Sequence, residues 1–117
     1  MRSLVENDAL LEPHIKQVLI ACRDRIRAKY PTAKIVLFGS QARGTADLES
    51  DIDLLIVLDK NLVAQEKRTI HDTLYEIGLA EDLVISVIIR SHDEWNCPIS
   101  QAMPLYRAVH EEGIIVA

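Results

Sequence analysis

Two aspartates one residue apart have the clearest capacity for chemistry in this chain. Asp51 and Asp53 directly precede the apolar run "LLIVL". Residues i and i+2 of a strand point to the same face, so the two carboxylates would be neighbours. Because the strand is apolar on both faces, they would stand at the rim of a buried strand, where like charges repel and resist desolvation. A hard divalent cation with oxygen ligands would neutralise them. The alternative is a rim open to water, where the acids only solubilise the start of the strand.

A Gly-Ser pair at the end of the preceding apolar run has the composition of a phosphate-binding turn. Gly39 permits a sharp turn and a close approach of the backbone to a ligand. Ser40 adds a hydroxyl and an N–H at the start of a short helical stretch, where anions are favoured, and Arg43 can pair with phosphate oxygens. Ser50 can hydrogen-bond locally and orient Asp51. Alone, the glycines would indicate only an ordinary loop. Together with the aspartates, they predict a site for phosphoryl or nucleotidyl transfer.

The hydrophobic pattern predicts the elements that would position these residues. An amphipathic helix follows Pro13, and apolar runs of strand length lie on both sides of the Gly-Ser segment. Ser91 and Glu94 have the spacing of a capping box at the start of a short helix. The predicted elements are strands over Ala33–Phe38, Asp51–Leu58 and Asp82–Ile89, a helix over roughly Leu62–Ile77, a last helix from Pro104, and a short edge strand in "IIV".

The order of these elements predicts an α/β or α+β fold, a small mixed sheet with helices packed on it. A connection of about a dozen residues between the first two strands permits either a hairpin-like return or a crossover. Only an antiparallel return brings the Gly-Ser pair and the aspartates to the same edge of the sheet. We therefore expect that return, within a single domain spanning residues 1–117.

The composition of the chain argues against several classes of function. The chain has 117 residues, a formal net charge of −5 and 49% hydrophobic residues, which is typical of one globular domain and lacks the basic surface that holds extended nucleic acid. No apolar run has the length of a membrane span, and no export signal is evident, so we expect a cytoplasmic protein with reduced Cys22 and Cys97. The four histidines show no ligand spacing, which argues against a zinc site.

The Gly-Ser and Asp-x-Asp segments together resemble the signature of the nucleotidyltransferase superfamily that includes DNA polymerase beta and the kanamycin nucleotidyltransferases. That signature is a Gly-Ser, ten residues and an Asp-x-Asp, and it is matched here by Gly39, Ser40, residues 41–50, Asp51 and Asp53. The chain is most similar to the smallest members, the minimal nucleotidyltransferases.

The resemblance implies a nucleotidyltransferase-like fold and the transfer of a nucleoside monophosphate, usually AMP from ATP, to an acceptor hydroxyl. Gly39 and Ser40 would then hold the triphosphate, and Asp51 and Asp53 would ligate two Mg²⁺ ions. The adjoining Arg43 and Ser50 also fit the common form of the motif and are candidate nucleotide-binding residues.

One departure from the superfamily pattern concerns the third strand. The superfamily usually carries a third carboxylate there, and the position flanked in the same way is Ser86. Asp82 would share the parity of Ser86 in the predicted strand but would lie four residues earlier. A serine can neither replace a charge on a metal nor act as a base near neutral pH. Binding of Mg-ATP without efficient turnover is therefore an alternative to catalysis.

Larger relatives recognise the acceptor with an additional domain, and we expect no room for such a domain in 117 residues. The resemblance to the minimal members therefore also implies a protein partner. Many minimal members resemble antitoxins of helical HEPN ribonuclease toxins, and some of them attach AMP to a toxin tyrosine. Two hypotheses follow: an enzyme that transfers AMP to such a partner, or an inactive binding module that acts as antitoxin by complex formation. An aminoglycoside-type transferase fits less well, and the sequence leaves a homo-oligomer open.

Overall fold

The computed structural model describes residues 2–3, 11–44 and 51–117, in which a five-stranded mixed sheet carries helices on both faces. The mixed α+β architecture confirms the fold class predicted from the sequence. The strands lie in the order β1-β5-β2-β3-β4. They are β1 (Arg2–Ser3), β2 (Lys34–Phe38), β3 (Ile52–Leu58), β4 (Ile85–Ser91) and β5 (Ile114–Ile115), and the helices are α1 (Pro13–Lys29), α2 (Ser40–Arg43), α3 (Ala64–Ala80), α4 (His92–Asn96), α5 (Pro98–Gln101) and α6 (Pro104–Glu112).

The antiparallel pairing of β2 with β3 confirms the expected return of the chain. Phe38 lies opposite Asp53 in this register, and Leu37 lies opposite Leu54. The other neighbour of β3 is β4, which runs parallel to it and places Ser86 beside Asp53. The end of β2 and the beginning of β3 therefore meet at one edge of the sheet, as the sequence interpretation required.

Both faces of the central strands are covered, which explains their nearly continuous apolar sequences. Ile52, Leu54 and Ile56 are fully buried among the apolar residues of α1 and α3. Leu55 and Val57 point to the other face, where they pack with residues of α4 and α6. Asp53 lies two residues before Leu55 in β3 and therefore points to the same face of the sheet. The candidate site thus lies on the side covered by α4 and α6.

A capping box starts α4, as its sequence predicts. The Ser91 hydroxyl accepts a hydrogen bond from the Glu94 N–H at 3.1 Å, and the Glu94 carboxylate accepts one from the Ser91 N–H at 2.9 Å. The helix carries Trp95, which is 9% exposed and packs in the cluster on the second face of the sheet. Its ring lies 5.0 Å from that of Tyr106, so α4 and α6 contact each other above the strands.

Two strand predictions were wrong in position. The third long strand begins at Ile85 instead of Asp82, because the Leu83 N–H donates back to the Gly78 carbonyl at 2.8 Å while Asp82 adopts a positive φ of 57°. The expected edge strand near the end of the chain, β5, is internal, because β1 pairs with it on one side and β2 on the other. The chain between α3 and β4 is thus a turn, which removes Asp82 from the sheet.

Within the described parts of the chain, none of the helices is both long enough and apolar enough to cross a membrane. Both cysteines are free, and burial raises the pKa of the Cys22 thiol to about 12.

Candidate active site

Asp53 is the central residue of the candidate site and is half-buried at the second position of β3. The sheet register puts Phe38 on one side of it and Ser86 on the other. Because neighbouring strands lie about 4.8 Å apart, these three residues form a row across the sheet next to the Gly-Ser turn.

Gly39 directly follows β2 and contacts this row with its backbone. Its φ of 78° and ψ of −159° lie in a region that is essentially restricted to glycine. A Cβ atom placed on Gly39 would overlap a carboxylate oxygen of Asp53. The absence of a side chain at this position therefore lets the turn and the carboxylate lie against each other.

The short helix α2 begins at Ser40, which the structure places directly after this turn. The Arg43 N–H donates to the Gly39 carbonyl at 3.1 Å, and Gly44 ends the helix with a φ of 74°. Ala42, on the inner side of α2, is fully buried. The one-turn helix is thus held on the protein by its inner side, while Ser40 and Arg43 remain accessible to a ligand.

The charges around Asp53 are unbalanced. The pKa of the Asp53 carboxyl is raised above its ordinary value, first because burial penalises the ionised form and second because the negative charge of Asp51 lies close by. The positive charge of Arg43 acts in the opposite direction but does not cancel these two effects. An additional cation would therefore stabilise the ionised site.

The other predicted residues differ in where they lie. Asp51 is exposed and directly precedes β3 instead of lying within it, but its charge acts on Asp53. Ser86 is exposed on β4 and adjoins Asp53. Asp82 lies in the turn before β4, three residues before the strand begins, so the structure does not bring it into this row. Ser50 lies outside the described residues.

Glu112 contacts the site and was not recognised from the sequence. Its Oε2 accepts a hydrogen bond from Arg43 Nη1 at 2.9 Å, forming an ion pair between residues 69 positions apart. Glu112 ends α6, and the following strand β5 pairs with β2. No local motif marks this residue: an acid in the last turn of a helix opposes the helix dipole, but nothing in the sequence relates it to Arg43.

The carboxylates of the site are better suited to binding Mg²⁺ than to binding a metal ion that is held by protein ligands alone. Among the residues that the structure describes, no group of three or more histidine, cysteine or acidic side chains could hold a metal ion. Mg²⁺ is usually bound by one or two carboxylates together with substrate phosphates and water. The carboxylates of Asp51 and Asp53, one of them partly desolvated, fit that requirement.

Residues 19–115 match the model of the nucleotidyltransferase domain family, which covers most of the chain and includes every element of the site described above. The chain belongs to the nucleotidyltransferase family. The segment between the Gly-Ser turn and Asp53 lies within the matched range, as do Ser86 and Glu112.

Relatives of this nucleotidyltransferase occur in Methanocaldococcus jannaschii. It is 34% identical over 105 residues to "Putative protein adenylyltransferase MJ0604", which covers 90% of this chain and 96% of the relative. It is also 41% identical over 56 residues to "Putative protein adenylyltransferase MJ0141", which covers 48% of this chain and 57% of that protein.

The fold of this nucleotidyltransferase is also found in a solved crystal structure of a toxin-antitoxin with AMP-PNP. The two chains superpose with a TM-score of 0.58 over 87% of this chain and 72% of the other, at 20% sequence identity. At that identity the likeness concerns the fold.

Proposed function

We propose that this protein is a single-domain nucleotidyltransferase, spanning residues 1–117, that transfers AMP from Mg-ATP to a hydroxyl group of a partner protein. The observation that carries this proposal is the pairing of Phe38 with Asp53, which sets the Gly39-Ser40 turn against the half-buried carboxylate. Adenylyl transfer to protein agrees with the names of the relatives, one of which is 34% identical over nearly its whole length.

Each residue of the site has a defined task in this proposal. The Gly39-Ser40 turn and Arg43 bind the triphosphate through backbone N–H groups, a hydroxyl and a guanidinium. Asp51 and Asp53 would hold two Mg²⁺ ions, which would supply charge neutralisation during the transfer. The acceptor oxygen forms a bond to the α-phosphorus while the bond from the α-phosphorus to the bridging oxygen breaks. Pyrophosphate leaves with the electron pair of the broken bond, and the hydroxyl proton passes to solvent water.

We further propose that the partner is a helical toxin of the HEPN type and that this protein is its antitoxin. The proposal is supported by the resemblance of the motif to minimal nucleotidyltransferases and by the shared fold with a chain of a toxin-antitoxin structure. In a toxin-antitoxin pair, an adenylylated hydroxyl on the toxin would provide a covalent means of inactivation.

The register of β4 supports a second candidate function. Ser86 lies directly beside Asp53, at the place where the superfamily pattern usually has a third acid. A hydroxyl neither adds negative charge to a metal site nor accepts the acceptor proton near neutral pH. The second candidate is therefore a binding module that holds Mg-ATP and the toxin but transfers AMP slowly or not at all.

Incubation with ATP labelled at the α-phosphate tests the two candidates. A helical HEPN-type protein should be encoded beside this chain, and the label should appear on that partner only when Mg²⁺ is present. Asp51→Asn/Asp53→Asn should reduce labelling by about 10³-fold or more, because electrostatic stabilisation of the transferred group would be lost. Asp59→Asn is the matched control, since Asp59 is an exposed carboxylate that follows the opposite end of β3.

The same assay separates the enzyme from the binding module. The wild-type protein would be the binding module if it forms a stable complex with the partner but does not label it. In that case Ser86→Asp, which restores the third acid, should gain the ability to label the partner. Wild-type protein that neither binds Mg-ATP nor forms the complex would contradict both candidates.

A further inference from the structure

The ion pair between Arg43 and Glu112 gives a role to a residue outside the nucleotidyltransferase signature. We propose that Glu112 is a positioning residue, which holds the Arg43 guanidinium in the orientation that receives the phosphates of the nucleotide. This inference rests on the proposed function, in which Arg43 binds the triphosphate. Its structural basis is the 2.9 Å contact between Arg43 Nη1 and Glu112 Oε2.

The carboxylate of Glu112 lies on a part of the fold that is packed against the sheet. Helix α6 packs on β2, and Glu112 is followed after one residue by Ile114, which is fully buried and pairs with Leu37. The side chain of Glu112 is only 30% exposed. Its position is therefore determined by the same strand, β2, that leads into the Gly39-Ser40 turn.

The side chain of Arg43 needs such an anchor. It is 46% exposed and extends from a helix of four residues that ends at Gly44. An arginine side chain has many rotamers, and a ligand that orders it must overcome the loss of this rotamer entropy. A contact that orders Arg43 beforehand reduces that cost, and preorganisation of this kind increases affinity.

Positioning and simple electrostatics predict opposite results when Glu112 is removed. A negative charge near a triphosphate weakens its binding, so removal of that charge alone would tighten binding. Removal of an anchor would instead weaken binding, because Arg43 would sample orientations that do not face the phosphates. The sign of the change therefore identifies the role.

Glu111 offers a matched control on the same helix turn. It carries the same charge, is 66% exposed, and pairs with Arg107 at 3.6 Å within α6 instead of with α2. Glu111→Ala and Glu112→Ala remove the same atoms and the same charge from neighbouring positions. The part of the difference between them that disappears when Arg43 is also replaced reports the contact with Arg43.

Titration calorimetry of the full chain with Mg²⁺ and AMP-PNP, ADP or AMP tests the inference. Glu112→Ala should raise the Kd for AMP-PNP about three- to tenfold, with a smaller effect for ADP and the smallest for AMP. Glu112→Gln, which keeps an acceptor oxygen, should lie between wild type and Glu112→Ala. Glu111→Ala should stay within about twofold of wild type. In an Arg43→Ala background, Glu112→Ala should have no further effect.

Three results would each overturn the inference. They are equal Kd values for the Glu111 and Glu112 variants, tighter binding by Glu112→Ala, and an effect of the same size for all three nucleotides. If Glu112→Ala does not fold, Glu112→Gln carries the comparison with Glu111→Gln. Wild-type protein that fails to bind Mg-AMP-PNP contradicts the proposed function itself, so the two failures are distinguishable.

Discussion

At Gly39, the backbone angles and the neighbouring carboxylate both require the absence of a side chain. The sequence predicted this glycine as a place where the backbone approaches a ligand closely. The structure shows a close approach within the protein itself, between the Gly39 backbone and Asp53. Such packing cannot be read from local sequence, because the two residues are brought together only by the β2–β3 register.

Gly39→Ala should therefore destabilise the protein and displace Asp53. We expect a loss of about 2–4 kcal/mol in the free energy of unfolding, from the strained backbone region and the overlap with the carboxylate. Urea denaturation measures this loss. Gly44→Ala is the control, because Gly44 also has a positive φ of 74° but a Cβ there would meet no atom within 4 Å. Its cost should be only about 1 kcal/mol, and equal losses in the two variants would contradict the close contact between Gly39 and Asp53.

Individual elements differ in how completely their sequences determine them. The capping box of α4 was predicted from two residues, because both of its hydrogen bonds form within four positions of the chain. The start of β4 was not, because it depends on a turn in which Leu83 bonds to Gly78 of α3. The two-residue strand β1 has no apolar pattern at all and exists through its pairing with β5.

Loss of the capping box should loosen α4 from the sheet. Ser91→Ala removes the side-chain acceptor for the Glu94 N–H, and we expect it to lower the free energy of unfolding by about 1 kcal/mol. Trp95, the only tryptophan of the chain, lies in α4, so its fluorescence reports the transition. The comparison variant is Asp93→Ala, which removes an exposed acid from the same turn and should cost no more than about 0.5 kcal/mol. A larger loss for Asp93→Ala than for Ser91→Ala would show that the charge matters more than the cap.

At the scale of the whole molecule, the ionised Asp53 carboxylate reduces the stability of the folded state. The protein has a formal net charge of −5, and the raised pKa of Asp53 shows that its ionised form is disfavoured in the folded state. A carboxyl whose pKa is raised by folding contributes stability that is complete below the ordinary pKa of 3.8 and is lost as the pH rises through the folded value. At pH 7 the ionised Asp53 is therefore a cost to the fold.

Asp53→Asn should consequently stabilise the metal-free protein at pH 7. We expect the Tm to rise by about 2–5 °C, and the difference from wild type should shrink as the pH is lowered toward about 4. Differential scanning calorimetry in a chelating buffer measures the Tm of the variant and of the wild type at each pH. Asp59→Asn, which changes an exposed carboxylate that accepts a hydrogen bond from Thr32, should not raise the Tm. A Tm for Asp53→Asn that is below wild type at pH 7 would contradict the unfavourable charge balance.

The sequence by itself determined the apolar central strands, the Gly39-Ser40 turn and the paired aspartates, because these depend on residue type and spacing along the chain. Only the tertiary structure decided that β2 and β3 run antiparallel, that Ser86 lies beside Asp53 and that Asp82 does not. It also brought Glu112 to Arg43 across 69 positions. The reason is physical: hydrophobic burial selects which segments form the sheet, while strand register and helix packing set the polar contacts between distant segments.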